Sequence, residues 1–299
     1  MFEVIFGSGK KSWPKRGFKV GEGIAGNVVL TGKAEIVNHV QADPRYEDSA
    51  NKISSLMCAP LKIKDKVIGV INISSEEPVR YTAEELKILS ALAFQAAAAI
   101  ENARLYDQLK DTFLNTVNTL AETIEKRDPY TGGHTRRVMD YSVSIAKTLK
   151  LSDRQIENIR LAAILHDIGK IGVRDSILLK NEKLSTEESN TIKMHPIYAE
   201  EILSPIKNLK DIIPGIKYHH ERFDGQGYPE RLKGDEIDIM ARIIAVADAF
   251  DAMTSDRPYR KGLSTDVAME ELKKNLGTQF DPEVVRAFIK VYEANKQSK

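Results

Sequence analysis

Cysteine is nearly missing from these 299 residues: Cys58 stands alone. An intrachain disulfide and any zinc or iron–sulfur site built from several thiolates are therefore excluded, and the composition fits a reducing compartment. An excess of one charge sign is missing too. Lys and Arg total 44 against 43 Asp and Glu, a formal charge of +1, so no global field would drive counterion-release binding to a long nucleic acid. Any anionic partner has to be held locally. Long apolar runs are also absent: the longest, Ala91 to Ile100, is alanine-rich and well short of the roughly 20 residues that cross a bilayer. No charged-then-apolar segment opens the chain, so a soluble, cytoplasmic protein without membrane insertion is expected. Repeats and low-complexity tracts are lacking. What is present is 42% hydrophobic residues and, at roughly 150 residues per domain, length for about two domains with a core each.

Glycine and proline are missing where they would break a helix, between Thr82 and Arg127. Thr82 with Glu85 reads as a capping box ahead of Leu86, so one long helix or two nearly continuous ones are predicted. Leu86, Leu89, Ala93, Ala96, Ile100 and Ala103 step by three and four; Leu109, Phe113, Val117, Leu120 and Ile124 resume that stepping in a shifted phase. The shift marks the junction of two domains, and the apolar stripe predicts a homodimer paired through this helix. Ahead of it the chain is glycine-punctuated and strand-like. Ile36-Val37 is a short apolar run, and Leu56 to Ile63, a polar Lys64-Asp65-Lys66 and Val67 to Ile73 read as a hairpin. Behind it helical patterns dominate. Ile156, Ile159, Ala163, His166 and Lys170 share one face of a predicted helix, and Ile243 to Met253 form another that carries Asp248 and Asp251. Pro282 to Tyr292 form the last, ending in a frayed polar tail from Asn295 to Lys299. Asp224-Gly225-Gln226-Gly227-Tyr228-Pro229 is a turn-rich loop.

Five of the six histidines, His134, His166, His195, His219 and His220, lie in this second part. Two aspartates join them: Asp167 directly after a histidine, and Asp248 on a helix otherwise made of Ile, Ala and Val, where a carboxylate is costly to bury unless paired or bound to a cation. Any one of these alone reads equally well as a surface histidine or a capping aspartate; together they read as a metal site. Nitrogen and oxygen donors without sulfur suit Fe, Mn, Zn, Co or Ni. Seven ligands exceed what one tetrahedral zinc uses, so two metals sharing a bridging carboxylate are expected, with Asp167 as the bridge. Adjacent helical residues project about 100° apart, so His219 and His220 can both ligate only if a helix ends there. Lys170, on the same helix face as His166 and Asp167, is placed to neutralise charge on a phosphoryl oxygen.

His166-Asp167-Ile168-Gly169-Lys170, His219-His220-Glu221-Arg222-Phe223-Asp224-Gly225-Gln226-Gly227-Tyr228-Pro229 and Ala247-Asp248-Ala249-Phe250-Asp251-Ala252-Met253-Thr254 resemble the HD-GYP family of cyclic di-GMP phosphodiesterases, over about Phe113 to Tyr292. The resemblance implies an all-α HD-superfamily domain holding two divalent transition metals, Fe or Mn. His134, His166, Asp167 and Asp248 would surround one metal, and Asp167, His195, His219 and His220 the other. Asp167 and Lys170 would be catalytic, and Tyr228, Arg257 and Arg260 would hold the substrate. The implied reaction opens cyclic di-GMP to linear pGpG, with further cleavage to GMP. Some members carry, four residues before the first histidine, a glutamate that reaches a third metal. Tyr130 stands there, a phenol mostly protonated at neutral pH, so two metals and an accumulation of pGpG are expected. Two alternatives remain: an HD hydrolase acting on another cyclic dinucleotide, and a non-catalytic receptor that binds the dinucleotide and signals through a partner.

Gly21-Glu22-Gly23-Ile24-Ala25-Gly26 spells GxGxxG, yet the βαβ unit that a dinucleotide site requires is poorly supplied. Together with Asn38 to Pro44, Met57-Cys58-Ala59-Pro60-Leu61 and Val67 to Ile73, this segment resembles a GAF domain, a small α+β sensory module. The helix and strand with which such a module usually opens are lacking, so its pocket is expected to be incomplete. The expected architecture is multidomain: an α+β GAF-like module at 1–104, a helical linker at 105–112 and an all-α HD-GYP domain at 113–299.

Overall fold

A computed structural model describes residues 19–46, 52–127, 133–180, 182–256 and 261–297. The chain divides into two compact units, Met1–Thr112 and Phe113–Lys299.

The first unit comprises α1 (Gly23–Thr31), the strands β1 (Glu35–Val37), β2 (Ser55–Ile63) and β3 (Lys66–Ser75), and the opening of α2 (Ala83–Arg127). The sheet is antiparallel in the order β1-β2-β3, so among the described residues the GxGxxG run has no parallel crossover to serve. Instead Gly23 begins α1. Alternate residues of β2 face opposite sides, as a period of two requires. Leu56 and Cys58 pack with Ile24 and Val28 of α1, while Met57 and Ala59 pack with Leu89 and Ala93 of α2. The expected incompleteness at the N-terminus falls on residues 1–18, outside the described ones.

α2 is one helix of 45 residues. Its capping box forms as expected: Thr82 N donates to Glu85 Oε2 at 2.7 Å and Glu85 N to Thr82 Oγ1 at 3.3 Å. Leu89, Ala93 and Ala97 are buried near its start, and Val117, Ala121 and Ile124 near its end. Residues 102–112 are exposed on every face. Ile100 and Leu109 of the apolar stripe are 49% and 69% exposed. Periodicity alone cannot tell a face that meets a partner within the unit from one that does not.

The second unit is helical: α3 (His134–Thr148), α4 (Asp153–Leu165), α5 (Asp175–Leu178), α6 (Thr186–Ile192), α7 (His195–Leu203), α8 (Ile213–Lys217), α9 (Ile239–Thr254), α10 (Thr265–Lys274) and α11 (Pro282–Gln297), with short 3-10 segments between. One apolar cluster joins the end of α2 to α4, α7 and α8 through Val117, Ile124, Leu165, Leu203 and Ile216. A second joins α3, α9, α10 and α11 through Ile145, Ile243, Phe250, Leu272 and Phe288. Two expectations need correction. The α4 helix ends at Leu165, and Lys170 sits on a separate 3-10 turn, Ile168–Gly172, so it does not continue the helix face of Ile159 and Ala163. The turn is tight because Gly169 lies against α7, where an added Cβ would come within 1.9 Å of the His195 carbonyl oxygen. The last helix runs to Gln297, past the tail expected to fray from Asn295.

Candidate metal centre

Helix ends deliver the histidines. His134 is the first residue of α3, His166 caps the end of α4, and His195 is the first residue of α7. His219 and His220 lie in the turn after α8, which stops at Lys217, as the adjacency of the two rings demanded. Asp248 projects from α9, whose neighbours Ile244 and Ala247 are core. The rings converge: centroids lie 5.4 Å apart for His134 and His166, 5.1 Å for His166 and His219, 5.3 Å for His195 and His219, and 3.9 Å for His219 and His220. Tyr228 stacks on His220 at 4.8 Å.

Asp167 occupies the middle. Its Oδ1 lies 3.5 Å from His195 Nε2, and its Oδ2 lies 3.5 Å from His166 Nε2 and 3.9 Å from His134 Nε2. The two oxygens of one carboxylate thus face two different sets of histidines. Lys170 Nζ is 2.7 Å from Oδ2, and His134 Nε2 is 3.4 Å from Asp248 Oδ1. Burial alone would raise the Asp167 pKa, but the Lys170 ammonium beside it, with lesser contributions from the surrounding rings, holds it well below the usual carboxylate range. Burial and the neighbouring rings push His219 well down and His220 down to about 3, and burial lowers His195. These rings are neutral bases at physiological pH.

The donor set fits metal ions. His166, His195 and His219 each donate Nδ1–H to the carbonyl three residues earlier, at 2.8, 2.8 and 2.6 Å. That fixes the tautomer and leaves every Nε2 as a lone pair aimed inward. His166 Nε2 is buried with no hydrogen-bond partner, and His195 Nε2 faces His219 Nε2 at 3.4 Å. Two facing lone pairs repel unless a cation lies among them. Among the described residues, three sets could each hold an ion: His195, His219 and His220; His134, His166 and Asp248; and His166, Asp167 and His219. A cavity lined by Ile124, Glu125, His134, Asp167 and Lys170 opens beside the cluster.

All seven expected ligand residues, with Lys170 and Tyr228, are brought together. Tyr130, Arg257 and Arg260 lie outside the described residues. Two further residues support the cluster. Buried Glu221 accepts the backbone N–H of Glu230 at 2.6 Å and of Arg231 at 2.9 Å, holding the loop that carries Tyr228. Buried Asp251 accepts from His134 Nδ1 at 2.7 Å. The signal that marked Asp248, a carboxylate on an apolar helix, applied equally to Asp251.

Comparison with known proteins bears on this cluster. The family model described as HD domain matches residues 118–284. The chain belongs to the HD domain family. A GAF domain model matches residues 8–101, so the HD domain follows a GAF domain, as the sequence resemblance implied. Over 219 residues the chain is 38% identical to a protein of Vibrio cholerae named 3'3'-cGAMP-specific phosphodiesterase 3, covering 72% of this chain and 48% of that protein. It is 34% identical to the cyclic di-GMP phosphodiesterase response regulator RpfG of Xanthomonas campestris, covering 76% and 68%, and 42% identical to a cyclic di-GMP phosphodiesterase of Thermotoga maritima, covering 62% and 51%. The chain spans about half the length of the first and third of these relatives. Among the described residues, no helix is long and apolar enough to cross a membrane.

Proposed function

We propose that this chain is a metal-dependent phosphodiesterase that opens cyclic di-GMP to linear pGpG under the influence of its GAF domain. The observation that carries the reading is Asp167, with one oxygen toward His195 and the other toward His134 and His166. We assign His134, His166, Asp167 and Asp248 to one ion and Asp167, His195, His219 and His220 to a second, with Fe or Mn as the metals. When bound, such a pair supplies Lewis-acid activation of the phosphate and lowers the pKa of water to near neutrality.

Around it the chain's own residues divide the remaining work. Water oxygen bonds to phosphorus, the P–O3′ bond breaks, and the ribose O3′ leaves with a proton, so the product keeps a 5′-phosphate. Lys170 neutralises charge gathering on the phosphoryl oxygens. Tyr228, stacked on His220, offers an aromatic face at the edge of the site, and we assign Arg257 and Arg260 to the substrate's phosphates. The names of the relatives support a cyclic dinucleotide as substrate. A second reading, 3'3'-cGAMP, is favoured by the first relative's name. A receptor without catalysis is disfavoured because none of the seven residues is replaced. We further propose a sensory module at 1–104, a linker at 105–112, a catalytic domain at 113–299, a homodimer paired through α2, and a cytoplasmic location.

The test is product chromatography after incubating Mn2+-loaded protein with cyclic di-GMP and, separately, 3'3'-cGAMP. Accumulation of pGpG from the first, with GMP slow to appear, is expected, and Asp167→Ala should abolish turnover and lose metal. Wild-type turnover by Asp167→Ala would sink the bridging assignment. GMP as the immediate main product would show that Tyr130 does not limit the reaction as proposed.

A further inference from the structure

His134 is held differently from its neighbours. His166, His195 and His219 each rest Nδ1 on a backbone carbonyl of the preceding turn. His134 instead gives Nδ1 to a carboxylate, Asp251 Oδ2, at 2.7 Å. That carboxylate belongs to α9, one turn beyond Asp248, and is 1% exposed. It is itself fixed from two sides. Arg137, one turn along α3 from His134, places Nε 2.5 Å from Oδ1 and Nη2 3.0 Å from Oδ2. Ser255, the residue that follows the end of α9, donates Oγ–H to Oδ2 at 3.3 Å, and Arg137 Nη2 also reaches Ser255 Oγ at 3.1 Å.

A carboxylate behind an imidazole does two things that a carbonyl does less well. It fixes the ring's rotation and tautomer, and its full negative charge makes the opposite nitrogen a stronger donor. Here the opposite nitrogen, Nε2, points into the group formed with His166 and Asp248. We propose that Asp251 is a positioning residue for the ion held by His134, His166 and Asp248, acting through His134 alone. The proposal rests on the metal-dependent reading above. It also gives the two sites unequal support: the set of His195 and His219 has its Nδ1 protons on neutral carbonyls, so its affinity does not pass through Asp251.

Equilibrium dialysis of the full chain against Mn2+, with metal counted by mass spectrometry, separates these ideas. The wild type should take two ions. In Asp251→Asn one of the two steps should weaken about 10–100-fold, the other should stay within about threefold, and Asp251→Glu should recover part of the loss. Two ions at wild-type affinity in folded Asp251→Asn would overturn the positioning role. Equal weakening of both steps would overturn it as well, because that is the signature of general damage to the fold. A wild type that takes up no Mn2+ would instead remove the metal-dependent reading. Should Asp251→Asn fail to fold, long-range 1H–15N spectra of the Zn2+-loaded wild type read His134 directly. A proton on Nδ1 is expected, and a proton on Nε2 would overturn the proposal.

Discussion

Lys170 holds its ammonium 2.7 Å from Asp167 Oδ2, beside the cavity next to the cluster. If it acts on developing phosphoryl charge, Lys170→Ala should keep both ions and lower kcat about 10²–10³-fold, or roughly 2.7–4 kcal/mol of transition-state stabilisation. Parallel turnover and metal counts decide this, since loss of metal together with rate would make Lys170 a support for Asp167 instead. Cys58 is wholly buried on β2, and burial pushes its thiol from 9.0 up to about 12. The fold therefore favours the neutral thiol. That contribution is complete below pH 9 and is lost as pH climbs from there toward 12, because the unfolded chain ionises first. Denaturant midpoints for the wild type should fall over that window more than for Cys58→Ala, and an aromatic disulfide reagent at pH 8 should label the thiol only after unfolding. At this scale sequence reading works where the residue type is itself rare. Histidines and a carboxylate on an apolar helix stand out, whereas Glu221 acts through loop N–H groups nine and ten residues away, a pairing that only the folded chain creates.

The 3-10 turn Ile168–Gly172 sets where Asp167 and Lys170 point, and it can do so only by lying against α7. An alanine at position 169 would put its Cβ 1.9 Å from the His195 carbonyl oxygen and 2.6 Å from Ala199 N. Those are backbone atoms of the helix that presents His195, so they cannot simply rotate away. Gly169→Ala should cost stability on the scale of an overpacked core, about 1–3 kcal/mol, and weaken Mn2+ uptake. Thermal melts with and without Mn2+ check both, and a variant with unchanged melting and uptake would show that the turn adapts. The hairpin, the capping box of α2 and the helix carrying Asp248 were legible because each rests on local signals: alternation, a cap pair, an apolar period. The break of α4 at Leu165 was not, since the apolar period of Ile156, Ile159 and Ala163 runs on through His166. The turn that follows the helix lies against α7, about thirty residues later in the chain, a contact that no local pattern announces.

Residues 102–112 of α2 are exposed, among them Leu105, Tyr106 and Leu109. An apolar stripe left bare on a helix is the pattern of a surface that pairs. Light scattering of the full chain at micromolar concentration should give a dimer, and Tyr106→Glu with Leu109→Glu should shift it to monomer while Mn2+ uptake is unchanged. A monomeric wild type would remove the claim. That the chain holds more than one domain was legible in its texture, because a glycine-punctuated, strand-like segment precedes a long run of helical periods. The facing lone pairs of His195 and His219 have a wider consequence. His195 and His219 bring two ring nitrogens within 3.4 Å, a repulsion that a bound cation would relieve, and anything that binds the native chain alone draws the folding equilibrium with it. If the proposed ions bind, metal supply would set what fraction of the chain stays folded, so scarcity of metal would lower its abundance as well as its activity.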